Sequence, residues 1–400
     1  MAARGPPRFA VDREGNTKRV AIEFKASEGC SLGVEVELQI VDLATRQLAS
    51  AATPILTELG AGHPEGLHPK AKNELFECCV EIITGICSTV AEAKEDLTRT
   101  LKEVDEAAAA RGLGLMCAGS HPFSDWHDQQ LSPSPRYAAL VQEMQWVARR
   151  LQIFGIHFHV GVRSAEKAIA IANALRYYIP HFLGLSASSP FWAGRDTGLA
   201  SSRSPVFENL PTAGLPYVLA GWDEFESFMG TLLSAGAISS IREVWWDIRP
   251  HPDFGTVELR ICDGIPTLRE VSALAALAQC LVHWLDIRLD EGKPVYVPRD
   301  WTVRQNKWRA ARHGLQASVI VDEAGGQEPL GEAVRALVGD LSPVAASLGC
   351  SGELNSLLDI VDHGPSYVRQ RNLVAEGGSL MDVVDSLIDE LRTDRPGAGA

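Results

Sequence analysis

Two glutamates, one residue apart inside an apolar run, are the first residues whose types and spacing suggest chemistry. They are Glu35 and Glu37 in LGVEVELQIVD, residues 32–42. An extended strand points alternate side chains to opposite faces, so Leu32, Val34, Val36, Leu38 and Ile40 share one face and Gly33, Glu35, Glu37 and Gln39 the other. A single strand of this kind reads as half-buried with a wet face. The pattern recurs, however. In GIHFHVGV, His157 and His159 share a face opposite Ile156, Phe158 and Val160. In GTVELRICD, Thr256, Glu258 and Arg260 oppose Val257, Leu259 and Ile261, and ELFECCVEIIT sets Glu77 and Glu81 on a common side. Carboxylates brought together repel and raise one another's pKa unless a cation sits among them. Oxygen ligands suit Mg²⁺, and an added imidazole suits Mn²⁺ or a mixed site. His159 is the better ligand candidate of the two histidines, and His157 reads more readily as a satisfied core residue. The His-x-His pair alone could suggest zinc, but no HExxH motif or cysteine cluster accompanies it.

A second group lies in loop-like stretches: SHPFSDW (120–126), SASSPFWAGRDTGLASSRSPVFENLPTAGLP (186–216) and VWWDIRPHPDFGTVELR (244–260). Long irregular segments in a compact protein tend to carry function. Arg203, flanked by small residues, reads as an anion contact, whereas Trp245 and Trp246 read as buried loop aromatics. RQNKWRAARHGLQA (304–317) presents Arg304, Lys307, Arg309 and Arg312 near a glycine, either as a basic helix end facing phosphate or as a solvated face. No GxxxxGK[ST] and no strand-following GxGxxG occurs, so a bound nucleotide needs metal and arginine to hold its phosphates. GLSAS (184–188) lacks the closing glycine of a nucleophile elbow, which leaves Ser186 without support as a nucleophile.

The elements that must position these residues follow from periodicity. Strands are expected near 19–26, 32–42, 75–84, 113–118, 153–162, 243–249 and 255–262. A helix over 89–112 starts at a capping box, Thr89 with Glu92, and ends at Gly112. A second, over 267–292, repeats the device with Thr267 and Glu270, and a third is expected over 164–187. After about residue 290 the chain reads as mostly helical. One-sided polar strands suit an antiparallel sheet with helices on its other face, whereas a doubly wound parallel sheet would be more continuously apolar. The fold class is therefore α+β. The expected organisation is a flexible N-terminus over 1–18, one catalytic domain over 19–392 and a flexible tail over 393–400.

The chain has 400 residues, 46% hydrophobic, with a formal net charge of -14 and no run of Lys and Arg. Nucleic acid and acidic membrane surfaces are poor partners for such a chain. The start, MAARGPPRF, has no apolar stretch of the kind a signal peptide needs. VSALAALAQCLVHWLDI is interrupted by Gln279, His283 and Asp286 and is short for a bilayer span, so it reads as a buried helix. Eight scattered cysteines without a CxxC pair look like small buried residues in a reducing compartment, which places the protein in the cytoplasm.

Taken in order, GVEVELQ, HPKAKNELFECCVEIITGIC, GSHPFSDW, FGIHFHVGV, LSASSPFWAGRDTGLASSR, LPTAGLP, WWDIRPHPDFGTVELRICD and NKWRAARHGL resemble the type 2 glutamate–cysteine ligase family. These are carboxylate–amine ligases related to glutamine synthetase. The resemblance runs from about residue 31 to 314 and more weakly beyond. It implies a glutamine-synthetase-like fold, in which a curved antiparallel sheet lines a funnel holding ATP and divalent metal. By resemblance Glu35, Glu37, Glu81, His159 and Glu258 look like the metal-binding set. Arg260 looks like a phosphate or substrate-carboxylate arginine and Arg203 like a second phosphate-side arginine. Lys307 and Arg309 are further candidates for the nucleotide's phosphates. The implied reaction activates a carboxylate as an acyl phosphate, which an amine then takes. The implied partners are a small-molecule carboxylate and amine, and a homodimer is expected by resemblance only. Alternatives are a different amine, a guanidino phosphotransferase on the same fold, a nucleotide-free metallohydrolase or a non-catalytic nucleotide or metal sensor.

Overall fold

The structure, a computed structural model, describes residues 21–397. Its centre is a seven-stranded antiparallel sheet. In chain order the strands are β1 (Leu32–Asp42), β2 (Ala71–Asn73), β3 (Cys79–Ile83), β4 (Leu113–Met116), β5 (Gly155–Gly161), β8 (Ile248–His251) and β9 (Thr256–Asp263). Between β5 and β8 a two-stranded ribbon, β6 (Phe191–Trp192) with β7 (Arg195–Asp196), stands apart from the sheet. The sheet order is β2-β3-β1-β5-β9-β8, with β4 pairing the far end of β1.

Alternation does the sorting that the sequence requires. Val34, Val36, Leu38, Ile156, Phe158, Val160, Val257, Leu259 and Ile261 enter an apolar cluster that extends to Leu391. Helices cover that face, among them Val90–Ala109 and Leu268–Asp290. The latter is the single helix among the described residues long and apolar enough to cross a membrane, and most of it is buried in this core. The other face is left to Glu35, Glu37, the histidines, Glu258 and Arg260. The β5–β9 pairing shifts register between Ile156 and Phe158, where Arg260 and Ile261 of β9 stand against the single residue His157, a bulge in β9 beside this polar face.

Helix starts are legible at Thr89, where the hydroxyl accepts from Glu92 N and the Glu92 carboxylate accepts from Thr89 N. Thr267 accepts from Glu270 N, but the Glu270 carboxylate turns to the Thr267 hydroxyl and to Arg369, so the box is only half formed. The helix expected over 164–187 is two: Ala165–Leu175 and Ile179–Ser186, joined by a single tighter turn. Pro180 explains the break, since proline lacks the N–H that a continuing helix needs and fits the first turn of a new one.

Other boundaries move as well. The expected 75–84 strand begins only at Cys79, and the 243–249 strand runs instead from Ile248 to His251. Residues 21–26 form no strand, although Lys25 N donates to Pro252 O, and residues 19 and 20 lie outside the described residues. The loose N-terminus expected over 1–18 also lies outside them. The tail is docked as far as it is described: the Asp394 carboxylate accepts from Arg269 N at 2.7 Å and pairs with Lys94 at 2.7 Å. After an irregular segment over 291–299 the chain is mostly helical, interrupted by the short hairpin Ser318–Ile320 with Gln327–Pro329.

Candidate active site

Strand register assembles the site. Glu35 lies opposite His157, Glu37 opposite Glu81, and His159 opposite Glu258, which in turn faces Arg249. Cross-strand partners on one face stand close enough for direct contact. The polar residues read separately from four strands therefore form one continuous surface.

At one end, Glu35 Oε2 meets His157 Nδ1 at 3.0 Å, and its Oε1 lies 3.5 Å from His159 Nε2. The same His159 nitrogen lies 3.7 Å from Glu258 Oε1. His159 Nδ1 meets Thr256 Oγ1 at 3.2 Å, whereas Nε2 is buried with no hydrogen-bond partner. Glu258 is almost fully enclosed and is gripped by Arg249 through Nε at 2.8 Å, and by Arg260. Burial pushes the Glu258 carboxyl up, but Arg249 and Arg260, with the two histidines, hold it well below the usual carboxylate value. Glu35 behaves likewise: burial opposes ionisation, and His157 and His159 reverse the balance. Burial, reinforced by Arg260, lowers the His157 pKa to about 4, so its imidazole is neutral near pH 7 and can offer a lone pair.

At the other end stand Glu37, Glu74 and Glu81. Glu37 Oε2 accepts from Gly155 N at 2.5 Å, and Glu81 pairs with Lys72 at 2.7 Å. Glu74 accepts from its neighbour Leu75 N at 3.1 Å and from the Tyr137 hydroxyl at 3.4 Å. Burial raises all three pKa values. Arg203 and Arg260 only partly offset this for Glu37, while Glu37 adds to the rise at Glu74, and Glu35 and Glu74 add to it at Glu81.

Three sets of donors approach closely enough to share an ion: Glu35, His159 and Glu258; Glu35, Glu81 and His157; and Glu37, Glu74 and Glu81. Within each set the donor atoms lie within 4.8 Å of one another. Crowded carboxylates with the neutral imidazole of His157 and a partnerless His159 nitrogen form a donor set that fits a hard divalent cation.

Two arginines complete the surface. The Arg203 guanidinium donates to Ile261 O at 3.3 Å and Arg260 O at 3.2 Å, crossing over Gly155. A Cβ on Gly155 would stand 2.3 Å from Arg203 Nη2, so this close crossing requires glycine. The Nε atoms of both Arg203 and Arg260 are buried and unpartnered. Both side chains line an open pocket, together with Glu37, Glu74, Arg136, Tyr137 and an apolar wall that includes Phe154, Phe207 and Trp245.

Of the residues singled out from sequence, Glu35, Glu37, Glu81, His159, Glu258, Arg203 and Arg260 are brought together. Lys307 is not presented to the pocket: it is buried behind it, held by Asp247 Oδ2 at 2.6 Å and Glu208 Oε1 at 2.5 Å. Arg309 points elsewhere, to Ser318 O at 2.8 Å and Gln327 at 2.9 Å, because it stands two positions along the helix from Lys307 and so on another side. Glu77 is structural, accepting from the Thr53 hydroxyl at 2.6 Å and from Thr53 N at the start of a helix. Glu74, Arg136 and Tyr137 are additions to the site, and Arg249 is the buried partner of Glu258. Counting back in twos from Glu81 selects Glu77 because it assumes a strand throughout. The chain between 74 and 79 is not extended, which is why Glu74 turns inward instead.

The glutamate–cysteine ligase family 2 profile matches residues 31–386. A protein of Frankia casuarinae named "Putative glutamate–cysteine ligase 2-1" is 56% identical over 376 residues, covering 94% of this chain and 98% of that one. One of Thermobifida fusca, named "Putative glutamate–cysteine ligase 2", is 51% identical over 381 residues, covering 95% and 96%. Among solved structures, the glutamate–cysteine ligase of Francisella tularensis in complex with AMP superposes with a TM-score of 0.67 at 14% identity, over 94% of this chain and 91% of that one. That likeness places the antiparallel sheet and its helices in the glutamine-synthetase-like fold expected from the motifs. With residues 31–386 matched and most of the chain aligned at over half identity, this protein belongs to glutamate–cysteine ligase family 2.

Proposed function

We propose that the protein is an ATP-dependent carboxylate–amine ligase that joins the γ-carboxylate of glutamate to the amine of cysteine, releasing ADP and phosphate. The observation that carries this reading is the single polar sheet face on which two acidic ends are bridged by Arg203 and Arg260. A carboxylate is a poor electrophile and gains a leaving group only by taking up phosphoryl. Glu35, Glu37, Glu74, Glu81, Glu258 and His159 would hold Mg²⁺, or Mn²⁺, which when bound supplies charge neutralisation at the ATP phosphates. Arg203 and Arg260 present unpartnered Nε–H groups where phosphoryl charge develops, a role worth ~10³-fold or more in phosphoryl transfer. The apolar wall of the pocket excludes water from an acyl phosphate, favouring capture by an amine over hydrolysis. The net charge of -14 does not oppose ATP, because bound cations and the converging arginines reverse the sign locally. The proposed compartment is the cytoplasm, consistent with eight cysteines that all stand as free thiols.

The test is ADP release with Mg²⁺ and ATP, holding glutamate fixed and screening cysteine beside other amines. Release that needs glutamate and cysteine together, with a γ-glutamylcysteine product by mass, is the expected result. Dependence on another amine would keep the ligase and replace the substrate. ADP release with a phosphorylated product and no amide would make it a phosphotransferase, and turnover without ATP a metallohydrolase.

A further inference from the structure

Asp263 is fully buried at the end of β9, directly opposite Gly155 on β5. Its carboxylate is surrounded by serines. Oδ2 accepts from Ser189 Oγ at 2.7 Å and from Ser188 N at 3.0 Å, and Oδ1 accepts from Ser201 Oγ at 2.8 Å. Its own backbone N donates to Ser186 Oγ at 3.2 Å. Space for the carboxylate is left by Gly119, where a Cβ would stand 2.6 Å from Asp263 Cγ.

Two of those hydroxyls pass the contact onward. Ser189 Oγ accepts from Arg203 N at 3.1 Å, and Ser201 Oγ accepts from Ser204 N at 3.3 Å. Asp263 is thus tied by two parallel carboxylate–hydroxyl–amide chains to the first two residues of the short helix Arg203–Phe207. The same strand supplies the carbonyls of Arg260 and Ile261 that hold the Arg203 guanidinium. Both ends of the Arg203 residue, backbone and head group, are therefore referenced to β9. A buried carboxylate without close cationic pairing is costly to keep, so hydrogen bonding to the serines alone is a poor reason for an acid here. Burial raises the Asp263 pKa, and Arg203 is the positive charge that partly opposes that rise.

We infer that Asp263, through Ser189 and Ser201, is a positioning residue that fixes Arg203 for phosphoryl transfer. The inference rests on the ligase reading for the role of Arg203, but its geometric part does not. It sets a polar role for SASS and for the serines of LASSR, which carry no chemistry of their own in that reading. A displacement of about 1 Å in a group of this kind costs about 10²-fold in turnover.

The test is a double-mutant cycle in the full-length protein, joined to a crystal structure of the single variant. Asp263→Asn keeps the shape but replaces one acceptor oxygen by an NH₂ group; with the amide oxygen kept on Ser188 N, the NH₂ faces Ser201 Oγ, which can no longer donate to it. It is expected to lower kcat by about 10²-fold while KM for Mg·ATP moves by less than about 3-fold. In an Arg203→Ala background the same change is expected to cost almost nothing more, because its effect runs through Arg203. The crystal structure of Asp263→Asn is expected to show the Arg203 guanidinium displaced from the Arg260 and Ile261 carbonyls. Losses that multiply in the double variant, or an Arg203 head group still in place, overturn the inference. Should Asp263→Asn not fold, Ser189→Ala and Ser201→Ala each cut one chain and enter the same cycle with the same criteria. If the unsubstituted protein turns over no substrate pair, the ligase reading fails, and the position of Arg203 in the variant crystal alone decides this inference.

Discussion

The two ends of the polar sheet face hold similar residues in opposite electrostatic states. At the Glu35–Glu258 end, His157 and His159 hold Glu35, and Arg249 and Arg260 with the histidines hold Glu258, well below the ordinary carboxylate value. At the Glu37–Glu74–Glu81 end, burial and mutual repulsion raise all three. The first end is balanced by protein cations; at the second, Arg203, Arg260 and Lys72 offset only part of the acidic charge. Lys72 is the nearest remedy, and it is half-exposed, so solvent weakens its pull on Glu81. The difference teaches that three acidic sets of similar shape need not want a cation equally. Demand is greatest where the protein's own cations leave the carboxyls raised. At the first end, a metal must displace Arg260 from Glu258 or share its carboxylate with it.

The comparison breaks most visibly at Glu258. Glu258→Gln removes the negative partner of two buried arginines, and breaking such a pair costs about 3–5 kcal/mol. Metal-dependent turnover is expected to vanish, and denaturant unfolding to show a loss of that order with or without Mg²⁺. Glu35→Gln, which loses histidine contacts but no arginine pair, is expected to abolish turnover at a smaller cost in stability than Glu258→Gln. Equal destabilisation by the two variants would contradict the charge balance drawn here. Next in size, Gly155→Ala forces a Cβ to within 2.3 Å of Arg203 Nη2. Turnover is expected to fall by about 10²-fold, since only a displaced Arg203 relieves the clash. Wild-type kcat in that variant would show that Arg203 need not cross β5 closely.

A smaller effect with the opposite sign is expected at the other end. Glu74→Gln removes one of three repelling carboxyls and no ion pair. Metal-free protein should therefore gain about 1 kcal/mol of stability, on the scale of replacing an uncompensated buried charge. The stabilisation that saturating Mg²⁺ gives should shrink at the same time, and thermal unfolding with and without Mg²⁺ measures both. A Glu74→Gln protein that is less stable without metal would mean that the second end is not short of positive charge.

How much of this was legible in the sequence follows from local geometry. Alternation in β1, β5 and β9 determines which side chains share a face, so Glu35, Glu37, His159, Glu258 and Arg260 could be read directly. Glu81 followed from β3 in the same way. What alternation cannot convey is register. That Glu37 faces Glu81, or that Arg249 faces Glu258, depends on the lengths of the connecting loops. Glu74 was hidden because the chain ahead of Cys79 is not a strand, and Arg136 and Tyr137 because they reach the pocket from a helix whose own pattern is unremarkable. Lys307 and Arg309 were overread: a basic helix says nothing about which of its cations is already paired inside the protein. The serines around Asp263 looked like loop composition. Their bonds to one buried carboxylate appear only when residues 186–204 are folded back against β9.

The finest expected effect separates the ends by their protons. A carboxyl whose folded pKa lies above its unfolded value stabilises the folded state at low pH, and that contribution is lost as pH rises through the folded pKa. Glu37, Glu74 and Glu81 are in this class, so in metal-free protein they hold part of a proton into the range where free carboxylates are ionised. A divalent cation needs them ionised, and its binding must expel that proton. Calorimetric titration of Mg²⁺ in buffers of different ionisation enthalpy should therefore report net proton release above the ordinary carboxylate range, shrinking as pH rises and the carboxyls ionise unaided. Over the same interval the stabilisation by Mg²⁺ should grow, because the metal-free state is losing these contributions. Glu35 and Glu258 are already ionised and have no proton to give. Glu74→Gln should cut the release and Glu35→Gln should not. Release that survives Glu74→Gln but disappears in Glu35→Gln would transfer the first cation to the arginine-balanced end and reverse the order of affinity argued here.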